Sequence, residues 1–157
     1  LSGAFDARPE TVARLFAADR GEHLYGPGGI LERTAAGSLV VSDRYLFSSL
    51  AYQGLTCGPD LPAELNAPFP LPELLLFFEL DPEIAAERMA ARDSLEIYEN
   101  LAFQRRVDAA YRAVVSSFEG SGMAVVRVDA AASPDEVERT LWSAIEPISM
   151  ARARRYS

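Results

Sequence analysis

The sequence has 157 residues, the usual size of one compact domain. Apolar residues make up 49% of it, which is too large a share for a disordered chain. All 15 basic residues are arginines, so a lysine Schiff base, a lysine general base and a phosphate-loop lysine are excluded within this sequence. The formal charge of −8 argues against a general binder of nucleic acid or anionic membranes.

The sequence also lacks recognisable targeting patterns. It opens at Leu1 without a signal-peptide pattern, and no apolar stretch is long enough to span a bilayer. Cys57 is the one cysteine and therefore has no internal disulfide partner. We expect a cytoplasmic protein with no nucleic-acid and no membrane partner.

The first 72 residues are predicted to be mainly helical, with one strand. Apolar spacing and turn residues predict a helix at 6–23, a turn at 26–29, a helix at 30–36, a strand at 39–41 and a helix at 47–52. Five prolines between Gly58 and Pro72 predict a loop, with one helical turn at 63–66.

The remainder is predicted to alternate strands with helices. The expected elements are a strand at 74–78, a helix from Pro82 to about residue 92, a helix through residues 107–118, a strand at 123–128 and a final helix. Ser133 to Glu136 forms a capping box that starts this final helix. Its predicted inner face carries Val137, Leu141, Trp142 and Ile145. The alternation favours an α/β fold with a parallel sheet.

Ligands of such folds bind at the carboxyl ends of strands, where Asp43 and Arg44 follow the predicted strand 39–41. A carboxylate there suits magnesium, directly or through water, and a guanidinium suits phosphate. An ordinary salt bridge explains the same pair equally well. Phe16 and Arg20 share one helix face, and they suit either a nucleotide or a core ring beside a solvated arginine.

Residues 43–54, with the letters DRYLFSSLAYQG, resemble the signature of thymidylate (dTMP) kinases. Further segments resemble other blocks of that family and occur in the family's order: FAADR at 16–20, PEL at 72–74, EIYEN at 96–100 and VDA at 128–130. The blocks extend from about residue 1 to about residue 145, so the resemblance covers most of the chain.

The resemblance implies a role for each matching residue of the acceptor pocket. Phe16 would stack on thymine, with Tyr52 in the same aromatic pocket and Gln53 near the edge of the base. Arg20 and Arg44 would hold the 5′-phosphate of the acceptor nucleotide.

The same resemblance implies roles at the reacting end of the site. Asp43 would act near magnesium and the phosphates, and Tyr98 would disfavour a 2′-hydroxyl on the sugar. Gln104 would also lie near the ligand. Arg92 falls in the lid, at about residues 89–99, and would reach the transferring phosphoryl group, with Arg88 as its rival.

The implied reaction is phosphorylation of dTMP to dTDP by ATP and magnesium, in dTTP synthesis, by a homodimer. The acceptor phosphate is already anionic, so positioning and charge neutralisation would replace a strong general base. Leu46, Phe47 and Leu50 suit a dimer interface or a core equally well.

One family feature is absent from this sequence, since it contains neither G-x-x-x-x-G-K-[ST] nor any lysine. In the family, that loop follows a strand lying between the strand ending at Asp43 and the strand ending at Asp81. A partial record of a longer protein, a truncation and a pseudo-kinase that kept only the dTMP pocket are the three explanations. Without the loop, the chain alone is expected to be inactive.

The sequence therefore predicts one thymidylate kinase-like domain over residues 1–157. Its expected fold is a three-layer α/β/α parallel sheet of the P-loop kinase type, lacking the N-terminal phosphate-loop strand and helix. Another P-loop nucleotide or nucleoside kinase, and a non-catalytic dTMP-binding or assembly domain, are the alternatives. The preference for dTMP over dUMP stays open.

Overall fold

The computed structural model describes residues 7–90 and 101–156 of the chain. The chain divides into two compact units, Leu1–Pro70 and Leu71–Ser157. No helix among the described residues is both long enough and apolar enough to cross a bilayer.

The first unit is helical in its described part. Its helices are α1 (Pro9–Tyr25), α2 (Ile30–Ala35), α3 (Leu46–Cys57) and α4 (Asp60–Asn66). Small side chains at Ala13, Ala17 and Ala51 are buried where α1 and α3 pack together. Leu46 and Phe47 are only 2% and 3% exposed. These two residues therefore belong to the core of the unit, which removes them as candidates for a dimer interface.

The prediction of a strand at residues 39–41 is wrong. This segment has no regular secondary structure, and Leu39 and Val41 are 47% and 80% exposed. A strand needs a hydrogen-bonded neighbour, and the described residues of the first unit contain no strand to supply one. The residue types favour a buried strand, but residue type alone does not provide the partner.

The proline-rich segment is more ordered than its composition predicts. Residues Asp60–Asn66 form α4, a helix of seven residues rather than the single turn expected at 63–66. Pro62 lies within the first turn, where a missing N–H removes no intrahelical hydrogen bond. Its side chain is fully buried, so α4 is held in the unit by packing.

The second unit has the predicted α/β order. Its described elements are β1 (Leu74–Glu79), α5 (Pro82–Ala90), α6 (Leu101–Ser117), β2 (Ala124–Asp129) and α7 (Pro134–Tyr156). The two strands are parallel, in register from Leu74 opposite Ala124 to Glu79 opposite Asp129. The prediction of a parallel α/β sheet is thus confirmed, with two of the three expected strands in the described residues.

The last helix begins where the capping box predicts. The Ser133 hydroxyl and backbone N–H both donate to Glu136 Oε2, at 2.6 and 3.0 Å. Trp142, however, is 59% exposed, so the prediction that it lies on the inner face of the helix is wrong. It follows Leu141 by one residue, which turns its side chain about 100° around the helix axis.

Candidate functional site

A cavity of about 580 Å³ opens in the first unit, between α1, the segment 42–45 and α3. Six residues that the sequence singled out line it together: Phe16, Arg20, Asp43, Arg44, Tyr52 and Gln53. They come from two separate stretches of chain, so only folding brings them together. The volume lies within the range of small-molecule sites in proteins.

Aromatic side chains provide the apolar part of the wall. Phe16, from α1, is 50% exposed, which leaves ring surface available to a ligand. Tyr52 stands on α3, and the guanidinium carbon of Arg44 lies 5.8 Å from the centre of its ring. The arrangement suits a planar, apolar-faced group beside an anion.

Arg20 is the most constrained charged side chain of the cavity, at 9% exposure. Its Nη1 donates to Asn66 Oδ1 at 2.5 Å, and its Nη2 donates to Ser49 Oγ at 2.9 Å. The guanidinium carbon also lies 5.5 Å from the ring centres of both Tyr45 and Phe69. Burial lowers the pKa of Arg20, and nearby Tyr45 and Asp19 partly oppose that shift.

Tyr45 supports this arginine from the neighbouring segment. Its hydroxyl donates to the carbonyl of Pro70 at 2.9 Å. Burial raises the pKa of Tyr45 to about 12, and the Arg20 charge partly opposes the increase. Tyr45 is therefore neutral at physiological pH and offers Arg20 its ring rather than a negative charge.

The segment 42–44 makes a tight turn that presents Asp43 and Arg44 at the cavity. Arg44 has φ 67°, the one positive φ among the described non-glycine residues. The Ser42 hydroxyl donates to the Arg44 carbonyl at 3.0 Å and helps to close the turn. Both Asp43 and Arg44 are exposed, so their charges can meet a ligand from solvent.

Four predicted site residues belong to the second unit by their position in the chain. Gln104 is exposed on α6, in the second unit. Arg88, the rival lid arginine, donates to the carbonyls of Ala130 and Ala131 at 2.8 and 3.4 Å. Arg92 and Tyr98 lie outside the described residues, as does most of the predicted lid at 89–99.

Several residues around Arg20 were not singled out from the sequence. Ser49 and Tyr45 stand inside the DRYLFSSLAYQG segment, so that motif already marked their neighbourhood. Asn66 and Phe69 come from the proline-rich stretch that was expected to be mostly loop. Nothing in the local sequence signals their role, since it depends on α4 packing against α1 and α3.

Comparison with known proteins agrees with the motif. A family model described as "Thymidylate kinase" matches residues 1–141. A thymidylate kinase of Synechococcus sp. (strain JA-2-3B'a(2-13)) is 43% identical over 138 residues, which is 85% of this chain and 64% of that protein. The thymidylate kinase of strain JA-3-3Ab is 38% identical over 146 residues, 90% of this chain and 69% of that protein.

A protein of Treponema pallidum (strain Nichols) is also similar, at 42% identity over 124 residues, 77% of this chain and 60% of its own length. The chain thus spans about 60 to 69% of the length of these curated relatives. The family model covers nearly all of the chain. The chain therefore belongs to the thymidylate kinase family.

Proposed function

We propose that the cavity of the first unit binds dTMP, and that the whole protein phosphorylates dTMP to dTDP with ATP. The observation that carries the proposal is the convergence of six sequence-predicted residues on one cavity. Related proteins that carry the name thymidylate kinase support the same substrate.

In this proposal the aromatic wall holds the base. Phe16 leaves half of its surface open to stack on thymine, and Tyr52 adds a second ring from α3. Gln53 follows Tyr52 on the same helix and supplies an amide that can both donate to and accept from a pyrimidine edge. We propose that Tyr98 and Gln104 complete the sugar side.

Arginines hold the 5′-phosphate in this proposal. Arg44 is exposed at the cavity and has the planar fork of donors that matches phosphate oxygens. Arg20 adds a second positive charge that is held in place before the ligand arrives. A guanidinium already ordered loses less conformational entropy on binding than a free side chain does.

Asp43 is the carboxylate that we propose to lie near magnesium. Among the described residues no group of three histidine, cysteine or acidic side chains is placed to hold a metal. A single exposed carboxylate still fits magnesium, because this ion commonly keeps several waters and takes its remaining ligands from substrate phosphates. When bound, the ion would neutralise phosphate charge, while Asp43 and Arg44 orient the acceptor.

The donor side of the reaction needs a phosphate loop that these 157 residues do not contain, since they include no lysine. We propose that this chain alone binds dTMP without transferring phosphate. Arg92 remains the proposed lid arginine, because Arg88 is already engaged with two backbone carbonyls. The same missing lysine favours a non-catalytic dTMP-binding protein as the second candidate.

Calorimetric titration with dTMP, dUMP, dCMP and AMP tests the substrate. We expect dTMP to bind, because the cavity offers two aromatic rings and an amide beside two arginines. Binding of AMP without dTMP would contradict the proposal. A parallel assay for dTDP formation from ATP, with the full-length protein, separates a kinase from a binding protein.

A further inference from the structure

We infer that Asn66 is a positioning residue for the nucleotide site, acting through Arg20. Asn66 lies at the end of α4, is 4% exposed and is not among the residues that line the cavity. Its effect on a ligand would therefore be indirect. This inference rests on the proposed binding of dTMP and adds a residue from outside the cavity to that site.

Hydrogen bonds at both the nitrogen and the oxygen determine the orientation of the Asn66 amide. Its Nδ2 donates to the Pro62 carbonyl at 2.7 Å, one turn earlier in α4. A carbonyl accepts only from the nitrogen side of the amide, so Oδ1 must face the other way. There it accepts from Arg20 Nη1 at 2.5 Å.

Arg20 depends on such partners more than a surface arginine does. A free arginine side chain populates many rotamers, and ordering it costs conformational entropy. Asn66 and Ser49 each take one N–H of the guanidinium, while the rings of Tyr45 and Phe69 flank it. Five N–H groups belong to a guanidinium, so donors remain for a ligand.

Loss of the Asn66 oxygen would change the site in two ways. One donor of a buried cation would lose its partner, which is costly at low dielectric. The guanidinium would also gain freedom to leave its place near the rings of Tyr45 and Phe69. Both effects reduce the share of protein molecules that present Arg20 ready for a nucleotide, so affinity falls although no cavity-lining side chain is altered.

The test measures dTMP affinity of Asn66→Ala in the full-length protein. We expect about a tenfold weaker Kd, the usual effect of losing one hydrogen bond to a charged group. KM for dTMP should rise similarly, with kcat within about twofold of wild type. Ala63→Gly is the matched control: it weakens α4 at an exposed position and should leave the Kd unchanged.

A double-mutant cycle separates positioning from a general loss of structure. In an Arg20→Ala background, Asn66→Ala should cause no further loss of dTMP affinity, because its route to the ligand is already removed. Fully additive losses would overturn the inference.

The outcomes also separate this inference from the proposed function. Wild-type protein that fails to bind dTMP contradicts the function itself. Wild-type binding together with an unchanged Kd in Asn66→Ala overturns only the role of Asn66. If Asn66→Ala does not fold, Asn66→Leu fills a similar volume without an acceptor and takes its place in each comparison.

Discussion

Arg44 combines an unfavourable backbone conformation with a place at the cavity. In the left-handed conformation the Cβ of an L-residue is crowded against the neighbouring backbone, at a cost of roughly 1–2 kcal/mol. Glycine would avoid that cost, yet the chain carries arginine at φ 67°. Such strain at a cavity wall is consistent with a side chain kept for binding rather than for stability.

Arg44→Ala and Arg44→Gly separate these two contributions. Both variants remove the guanidinium, so we expect dTMP affinity to fall by at least about 30-fold in each. The glycine variant should unfold at higher denaturant concentration than the alanine variant, by about 1 kcal/mol in the free energy of unfolding. Equal stabilities would show that the positive φ costs nothing, and unchanged affinity would place the phosphate elsewhere.

Individual residues of the cavity wall were predictable where a motif marked them. Asp43, Arg44, Tyr52 and Gln53 lie within twelve consecutive residues, so one local pattern identifies all four. The inferred role of Asn66 was not predictable, because it depends on a hydrogen bond with Arg20, which is 46 residues away along the chain. A local sequence pattern carries no information about such a contact.

At the scale of single elements, helices with strong local signals agree best with prediction. The helix α7 begins at Pro134, directly after the Ser133 cap. The length of α4 was underestimated, because prolines usually mark loops. Its two turns are stabilised by the burial of Pro62 and Asn66. For the segment 39–41 the prediction claimed more regular structure than is present. Its apolar residues predict a strand, but the described first unit offers no partner strand.

The cap of α7 makes a pH-dependent contribution that can be measured. Hydrogen bonds from Ser133 lower the pKa of Glu136 below its ordinary value. A carboxyl with a lowered folded-state pKa stabilises the fold above its unfolded pKa, near 4.5, and this stabilisation is lost as pH falls through the lower folded value.

Ser133→Ala should therefore lower the thermal midpoint by a few degrees at pH 7, and the difference from wild type should shrink in acid below pH 4. Thermal unfolding followed by circular dichroism between pH 3 and 7 provides the comparison. Ser143→Ala is a matched control, because Ser143 is exposed within the same helix and donates only to the Thr140 carbonyl. A difference that persists unchanged in acid would contradict the role of Glu136.

At the scale of the whole molecule, the fold class was predictable from the order of elements. Strands alternate with helices in the second unit, and the parallel register of β1 and β2 follows from that order. The family resemblance spans both units, which the family match over residues 1–141 confirms. The division into two compact units was not predicted, because it depends on packing across long sequence separations.

The net charge of the molecule differs from the local charge at the cavity. The chain carries −8 overall, yet Arg20 and Arg44 stand at one cavity with Asp19 and Asp43. The local field decides whether an anion binds, and it falls off within about 8 Å at physiological salt. The negative charge of the whole chain therefore does not exclude the proposed binding of a nucleotide phosphate at this wall.

A crystal structure of the protein with bound dTMP would show which residues hold the base and the phosphate. We expect thymine to stack on Phe16 within the cavity, and a phosphate oxygen to lie within about 3 Å of the Arg44 guanidinium. We also expect Arg20 to remain hydrogen-bonded to Asn66 and Ser49 when the ligand is present. Density for dTMP outside this cavity, or a phosphate that Arg44 does not contact, would contradict the proposed binding site.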